Sequence, residues 1–311
     1  MINPLNQKEK NQRLIWASTR SVLEVDNYKH KRSGQKSKSR WSLFTRILGV
    51  FVVALKTIGL YNKGLANIFD IKINRHRLVF KNLPAAFDGF KILHLTDLHL
   101  DIAPGIEEAI LEQLKKLDFD LCVFTGDYRE ASSGPYKQIL APLKRIFDKT
   151  HGEFKPIAVL GNHDTYLLTK HEVECGIRFL INETVELNRG DDKIIISGAD
   201  DPFSYYTDAV LDTFTDKKGF KIALVHTSEL ADVAAENEYS LYLCGHTHGG
   251  QICLPNGRAI ISHQSEGYKY IKGFWRVGDM QGYTSVGCGA SGIPIRFNCQ
   301  PEIALFELRN I

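Results

Sequence analysis

The sequence lacks the features that mark several specialised classes of protein. Its six cysteines include no C-x-x-C pair, no repeat of roughly 20–50 residues is visible, and no twin arginine or A-x-A-like cleavage site is present. The longest apolar run, Ile47–Leu55, is well short of the ~20 residues that cross a bilayer as a helix. These absences argue against a disulfide scaffold, a solenoid and a secreted precursor, and they favour reduced thiols in a cytosolic setting.

Charge is divided unevenly along the 311 residues, although the net charge is only +3. Residues 1–46 hold 11 Lys and Arg against 3 Asp and Glu, whereas the rest of the chain holds 28 against 33. A hydrophobic fraction of 43% is ordinary for a folded protein and excludes disorder over the whole length. The sequence therefore predicts three parts: a basic, flexible segment (1–45), an apolar membrane-associating helix (46–70) and a folded domain (71–311).

The amino-terminal region is expected to contact a membrane surface. A basic run, Lys29–Arg40, precedes the apolar run, and positive charge beside an apolar segment is typical of an interfacial anchor, here over residues 29–60. Two alternatives stay open: a spanning helix with Arg46 or Lys56 near its end, and a helix packed on the domain after a flexible tail. Nucleic acid is not expected as a partner, because the basic run lacks interleaved aromatic residues.

The folded domain alternates short apolar runs with amphipathic stretches, which predicts an α/β fold with mixed sheets. Three stretches have helical spacing: Ile106–Leu117, Tyr136–Phe147 and His171–Ile181. The predicted strands are Lys91–Thr96, Leu121–Thr125, Pro156–Leu160, Lys193–Ser197, Lys221–Val225, Leu241–Cys244, Gln251–Leu254, Tyr283–Val286 and Glu302–Glu307.

Five of these strands run directly into short polar clusters, and ligands of α/β proteins gather at the carboxyl ends of strands. Carboxylates, imidazoles and an amide, without thiolates, suit borderline-to-hard divalent ions. Their number suits two ions ~3.5–4 Å apart with one bridging carboxylate. In an extended chain, residues two apart point to the same side, so each D-x-H or H-x-H pair is expected to face one pocket. The candidate metal ligands are Asp97, His99, Asp127, Asn162, His226, His246 and His248.

The ordered blocks D-L-H (97–99), G-D (126–127), G-N-H-D (161–164), H (226) and G-H-T-H (245–248) resemble the calcineurin-like metallophosphoesterases. Three further motifs are similar to the bacterial, often membrane-associated branch of that family, which includes phosphodiesterases and UDP-2,3-diacylglucosamine pyrophosphatases of lipid A synthesis. They are RHRLVF (75–80), G-G-Q (249–251) and GIPIR (292–296).

The resemblance implies a four-layer α/β/β/α sandwich that holds two divalent ions, with Mn, Fe or Zn as candidates. By motif position, Asp97, His99 and His248 would bind one ion, Asn162, His226 and His246 would bind the other, and Asp127 would bridge them. His163 matches the family's catalytic histidine, and Asp164 would orient it. The reaction expected from such a site is in-line attack of a metal-activated hydroxide on phosphorus, without a covalent enzyme intermediate.

The substrate is expected to be a phosphodiester or pyrophosphate. The blocks around Asp127 and His163 differ from those of protein phosphatases of this fold, which argues against a phosphoprotein substrate. Arg129 and Arg296 are candidate contacts to substrate phosphate. Aromatic residues within Ser262–Ile295 would either line a substrate site or pack on their own sheet.

With the basic head, these features predict hydrolysis of a lipid-linked substrate such as UDP-2,3-diacylglucosamine at the cytoplasmic face of the bacterial inner membrane. The alternatives are a broad phosphodiesterase of soluble substrates and, less favoured, a non-catalytic metal-binding scaffold. The oligomeric state is left open.

Overall fold

The structure is a computed structural model that describes residues 5–33, 38–214, 217–260 and 267–311. The side chains of residues 28–45, 47, 48, 267 and 268 lie outside this description. The basic run that was predicted to meet the membrane, Lys29–Arg40, is therefore outside the described side chains.

Within the described ranges, two mixed sheets of six strands each form the centre of the fold. The first sheet has the order β1-β12-β2-β3-β4-β5, and only β12 and β2 pair antiparallel. The second has the order β10-β11-β9-β8-β7-β6, with antiparallel pairs at both edges. The strands are β1 Lys72–Phe80, β2 Lys91–Leu95, β3 Leu121–Thr125, β4 Ile157–Val159, β5 Arg178–Phe179, β6 Glu183–Arg189, β7 Asp192–Gly198, β8 Phe220–Leu224, β9 Leu241–Cys244, β10 Gly273–Val277, β11 Met280–Thr284 and β12 Glu302–Asn310.

Helices cover the outer faces of the sheets and the amino-terminal end of the chain. The α-helices are α1 Gln7–Ser33, α2 Lys38–Thr57, α3 Leu60–Asn67, α4 Ile106–Leu114, α5 Leu140–Asp148, α6 Glu172–Cys175, α7 Pro202–Tyr205 and α8 Ala231–Glu236. Short 3-10 helices lie at Ala85–Phe87, Lys137–Ile139, Tyr166–His171, Asp208–Thr213, His248–Gly250 and Gly267–Tyr270.

The core is divided into layers because side chains alternate between the two faces of each strand. In β2, Leu93 packs outward in the cluster that α4 and α5 complete, whereas Ile92 faces the second sheet and packs in a cluster with Ile222. On the far side of the second sheet, Ala234 of α8 packs in a cluster with Tyr242. The predicted four-layer α/β/β/α sandwich is confirmed.

The amino-terminal region differs from the flexible segment expected for residues 1–45. Residues 7–33 form α1. The Arg20 side chain of this helix is buried against the domain, with only 1% of it exposed. The apolar segment forms two helices, α2 and α3, and Leu55 of α2 packs with Ile293 and Ile295. No helix in the described part of the chain is both long and apolar enough to cross a membrane. The domain boundaries at residues 45 and 70 stay predictions.

Candidate metal centre

The seven predicted ligands follow the carboxyl ends of five strands, and the structure brings them together between the two sheets. Strands β2, β3 and β4 carry four of them from the first sheet, and β8 and β9 carry three from the second. Close approach of the loops depends on glycine, because a β-carbon at Gly126 would collide with the Gly161 backbone, and one at Gly161 would collide with the Asp127 carboxylate. All seven side chains lie within two adjacent clusters. The first holds Asp97, His99 and His248, and the second holds Asp127, Asn162, His226 and His246.

The first cluster is fully or nearly buried. Nε2 of His99 lies 3.1 Å from Nε2 of His248, which in turn is 3.4 Å from an oxygen of Asp97. Both Asp97 and His99 are completely buried. Two imidazole nitrogens and a carboxylate oxygen thus converge on one point.

The second cluster also brings two imidazoles together, here around the amide oxygen of Asn162. The side-chain oxygen of Asn162 lies 2.8 Å from Nδ1 of His246 and 3.0 Å from Nε2 of His226. One oxygen of Asp127 lies between the two clusters, 3.2 Å from Nε2 of His226 and 3.7 Å from Nε2 of His99. This oxygen therefore faces a histidine of each cluster.

These separations fit divalent metal ions. Ligand atoms bonded at ~2.0–2.2 Å to one ion are spaced about 3–3.5 Å apart, and the closest pairs in both clusters have such spacings. The ring orientations fit as well, because Nδ1 of His99 pairs with Glu130 and Nδ1 of His226 with the Thr125 carbonyl oxygen. Each ring therefore presents Nε2 to its cluster, and the oxygens behind it fix the tautomer.

The backbone of the ligand loops is not extended. Five of the seven predicted ligands have positive φ values, from 41° to 73°, and residues other than glycine rarely adopt this conformation. The expectation that D-x-H and H-x-H alternate along an extended chain is therefore wrong in its premise. The pairs nevertheless reach one site because both members of each pair have left-handed backbone. Such strain persists where the surrounding structure enforces it, and it is concentrated at functional sites. The five are Asp97, His99, Asp127, His246 and His248.

Negative charge in the buried site favours binding of cations. Burial opposes protonation of His99, but the hydrogen bond to Glu130 and the charge of Asp127 outweigh it and raise the pKa of His99 to about 9. Burial likewise opposes the charged form of His226, yet Asp127 and Asp97 raise its pKa to about 10. A divalent ion bound to the same nitrogens would displace these protons, so metal binding is expected to weaken as the pH falls.

His163 lies at the edge of the centre and is half-buried. Its backbone N–H donates to Asp127, at 2.9 Å, and Nδ1 of its ring contacts the carbonyl oxygen of Glu130. The structure gives Asp164 a different role from the predicted one of orienting this ring. The Asp164 carboxylate accepts hydrogen bonds of 2.8–2.9 Å from the backbone N–H groups of Gly161, Asp127 and Tyr128. Asp164 thus joins the loops after β3 and β4 and places His163 through the backbone.

Glu130 is a functional residue that the sequence interpretation missed. Its carboxylate lies 3.0 Å from Nδ1 of His99, and the Gly292 N–H donates to the same carboxylate at 2.8 Å. A carboxylate behind a metal-binding histidine orients the ring and raises its basicity. The sequence feature that could identify Glu130 is its position three residues after Asp127, which places it on the same ligand loop.

The two predicted phosphate contacts, Arg129 and Arg296, direct their guanidinium groups to main-chain carbonyl oxygens. Arg129 is 2% exposed and donates to the carbonyl oxygens of His163 and Gly134, at 2.8 and 3.1 Å. Arg296 is completely buried, donates to the Gly289 carbonyl oxygen at 2.8 Å and lies 3.2 Å from Nδ1 of His248. In this structure both arginines hold the loops of the centre, and their role as substrate ligands stays a prediction.

The aromatic segment after the last ligand follows the second of its two predicted alternatives. Trp275 of β10 is buried, donates to the Thr284 hydroxyl at 2.9 Å and packs edge-on against Tyr270. Phe274 is half exposed and packs against Tyr283 of the neighbouring strand. These aromatic rings stabilise their own sheet. The side chain of Tyr268 is outside the described residues.

Comparison with known proteins agrees with this geometry. A family model described as calcineurin-like phosphoesterase matches residues 90–250, which include all seven predicted ligands. The uncharacterized metallophosphoesterase YkuE of Bacillus subtilis (strain 168) is 31% identical over 290 residues, covering 88% of this chain and 99% of that protein. Phosphodiesterase YaeI of Escherichia coli (strain K12) is 28% identical over 258 residues, covering 75% of this chain and 87% of that protein. A Bos taurus transmembrane protein with metallophosphoesterase domain is 26% identical over 324 residues, covering 96% and 67%.

Proposed function

This chain belongs to the calcineurin-like phosphoesterase family and is a metal-dependent phosphoesterase, and on this premise we propose that it hydrolyses a lipid-linked phosphodiester or pyrophosphate. The proposed centre holds two divalent ions, with Mn, Fe and Zn as candidates. The proposed substrate is UDP-2,3-diacylglucosamine, cleaved to UMP and the lipid phosphate at the cytoplasmic face of the bacterial inner membrane.

The observation that carries the proposed two-metal centre is the single Asp127 oxygen within 3.2–3.7 Å of a histidine from each ligand cluster. Two bound cations would neutralise phosphate oxygens and lower the pKa of bound water. The protein's contribution is to fix the ligands before substrate arrives. Burial of Asp97 and His99 excludes competing water, which strengthens the electrostatic interactions of the site.

His163 is placed to handle the proton of the leaving oxygen. Because the Glu130 carbonyl oxygen only accepts hydrogen bonds, Nδ1 of His163 carries the ring proton in the neutral form. Nε2 is then the atom that takes up a second proton and donates it to the leaving group. Arg129 and Asp164 support this role through the backbone, since both bind main-chain atoms of the loops around His163.

Exposed apolar side chains support a location at a membrane surface. Helices with such side chains on one face bind at the lipid interface, where exposed apolar groups leave water. The Bos taurus relative is named a transmembrane protein, which agrees with a membrane location. The exposed side chains are Leu14 (68%), Ile15, Val22 (66%) and Val25 of α1, and Val50, Val53 and Ile58 in and after α2.

The enzymatic proposal is tested with purified full-length protein and Mn²⁺. We expect hydrolysis of bis(p-nitrophenyl) phosphate, and release of UMP from UDP-2,3-diacylglucosamine in mixed micelles. His163→Ala should lower both rates at least ~100-fold, since positioned proton transfer contributes about that much. Equal rates for wild type and H163A, or no turnover with Mn²⁺, Fe²⁺ or Zn²⁺, would overturn the proposal.

A broad phosphodiesterase of soluble substrates is the second candidate, because the E. coli relative is called a phosphodiesterase. The two are separated by comparing UDP-2,3-diacylglucosamine with UDP-N-acetylglucosamine, which lacks the acyl chains. A kcat/KM at least ~10-fold higher for the acylated substrate supports the lipid-linked reaction. Equal values for the two substrates support the broad phosphodiesterase.

Membrane contact is tested separately by sedimentation with vesicles of phosphatidylglycerol and phosphatidylcholine. Replacing Val22 and Val25 together by serine should lower the vesicle-bound fraction several-fold, because both side chains are exposed on α1. Val173→Ser is the matched control, since Val173 is a fully exposed valine on α6. If wild-type protein does not sediment with the vesicles, the proposed location is rejected.

A further inference from the structure

Helix α1 presents four apolar side chains to solvent and binds the domain through side chains on its opposite face. Leu14, Ile15, Val22 and Val25 are exposed, and at 100° per residue they fall within one arc of the helix. The polar residues occupy the opposite arc, with helical spacings of three and four, and each bonds to the domain. They are Arg13, Trp16, Arg20, Glu24 and Asn27.

Arg20 is the centre of these contacts. Its guanidinium binds the Asp200 carboxylate at 2.5 Å and lies over the Tyr205 ring, 3.2 Å from the ring centre. The indole N–H of Trp16, one turn earlier, donates to the other oxygen of Asp200 at 2.7 Å. A buried arginine with a carboxylate and a ring around it has a fixed orientation.

The same guanidinium reaches the loop of the catalytic histidine. It donates to the carbonyl oxygens of Asp164, at 3.1 Å, and Gly161, at 3.3 Å. These two carbonyl groups lie on either side of the residues predicted to bind metal and to donate the proton, Asn162 and His163. The Asp164 carboxylate holds the loop through N–H groups, and Arg20 adds hydrogen bonds to two of its carbonyl oxygens.

Neighbouring side chains extend this contact along the loop. The Tyr205 hydroxyl, beneath Arg20, donates to the carbonyl oxygen of Asn162 at 3.4 Å. One turn after Arg20, the Glu24 carboxylate accepts from the Thr165 hydroxyl at 2.8 Å and the Tyr166 N–H at 2.7 Å. Residues 161–166 are therefore bound on one side by α1, through contacts that span 141–144 residues of sequence.

We propose that Arg20 of α1 is a positioning residue for the loop that carries Asn162 and His163. The inference rests on the proposed function for the roles of those two residues. Arg20 acts through the loop backbone, so its removal should displace the Asn162 side chain and weaken the ion bound by Asn162, His226 and His246. The ion bound by Asp97, His99 and His248 should be retained, because Arg20 makes no described contact with that cluster.

The test uses full-length Arg20→Met and Arg20→Lys proteins. Arg13→Gln is the matched control, since Arg13 lies on the same face of α1 but binds Glu172, Glu183 and the Phe179 carbonyl oxygen. Mn²⁺ binding is measured by calorimetry and by electron paramagnetic resonance, which detects the coupling between two adjacent ions. These readouts do not require turnover, so they remain informative if the proposed reaction is not found.

In R20M we expect one Mn²⁺ to bind at least ~10-fold more weakly with loss of the coupled signal, and kcat to fall ~10-fold or more while KM stays within twofold. R20K should recover part of both, and R13Q should match wild type in metal binding and kcat. If R20M binds both ions like R13Q, the inference is overturned. Should R20M not fold, Asp200→Asn tests the inference by the same criteria, because it removes the charge that orients Arg20.

Discussion

Nδ1 of His99 is paired with the Glu130 carboxylate at 3.0 Å, which leaves Nε2 as the ring nitrogen that faces Asp127 and His248. The main chain of Glu130 meets His163 as well, so one residue contacts both a predicted metal ligand and the predicted acid. The orientation of these two rings is thus set by a common support.

Replacing Glu130 by glutamine tests this support. The amide keeps the shape of the side chain but loses the charge that makes His99 a stronger ligand, so we expect metal affinity to fall about 10- to 100-fold. The measurement is calorimetric titration with Mn²⁺. Glu112→Gln, an exposed position on α4, serves as the control. Equal affinities of the two variants would show that Glu130 does not support the centre.

Asp127→Ala should impair both metal sites, because one oxygen of Asp127 faces a histidine of each cluster. We expect loss of both Mn²⁺ ions after dialysis and a fall in kcat of about 1,000-fold, corresponding to several kcal/mol of lost transition-state stabilisation. His248→Ala, by contrast, should lose one ion. Elemental analysis gives both stoichiometries. Retention of one ion at unchanged affinity in D127A would contradict the bridging position.

Arg296 is expected to contribute mainly to the stability of the protein. Its guanidinium is completely buried and donates to the carbonyl oxygens of Val286 and Gly289, so Arg296→Ala leaves several acceptors without donors. The free energy of unfolding should fall by about 3 kcal/mol or more. Urea unfolding measures this, with exposed Arg276→Ala as the control. An R296A protein with unchanged stability and a raised KM would instead support the original prediction of a phosphate contact.

His94 should make folding sensitive to acid. Burial lowers its pKa from 6.5 to about 3, so the unfolded chain takes up a proton that the folded protein does not. Stability should therefore be fully present above pH 6.5 and decrease as the pH falls from there towards 3, by up to about 1.4 kcal/mol per pH unit.

His94→Gln should remove this decrease in the free energy of unfolding at low pH. Urea unfolding between pH 5 and 7, with a chelator present, measures the difference. His151→Gln, at an exposed position, should keep the wild-type pH dependence. The same slope in H94Q and wild type would show that another group causes the acid sensitivity.

Sequence patterns predicted the inner part of the fold well. Leu121–Thr125 and Leu241–Cys244 coincide with β3 and β9, because each is an uninterrupted apolar run that ends at a glycine. The predicted helix His171–Ile181 is reduced to α6, since Gly176 takes a left-handed conformation at φ 67° and the chain then enters β5. Gln251–Leu254 contributes only isolated bridges to the described structure.

The predicted ligand positions could be inferred because each follows a buried strand, and the strands themselves bring the ligands together. The supporting residues could not be inferred in this way. Arg20 meets its partners 141–180 residues along the chain, and no local periodicity records such a contact. Four apolar residues of α1 face outward, so the pattern of a core-facing apolar stripe does not place this helix; they are Leu14, Ile15, Val22 and Val25. Glu130 was overlooked because the ligand chemistry behind His99 becomes visible only once the His99 ring orientation is known.

The opposite faces of α1 change how the chain should be divided for experiments. A cut at residue 45 or 70, made to separate a proposed membrane anchor from the folded domain, would also remove Arg20 and Glu24 from the loop that carries His163. It would remove Trp16 from Asp200 as well. The side chains proposed to contact lipid and the side chains that bind the domain then lie on two faces of one helix. Substitutions on its outer face are the appropriate way to test the proposed lipid contact while keeping the centre intact.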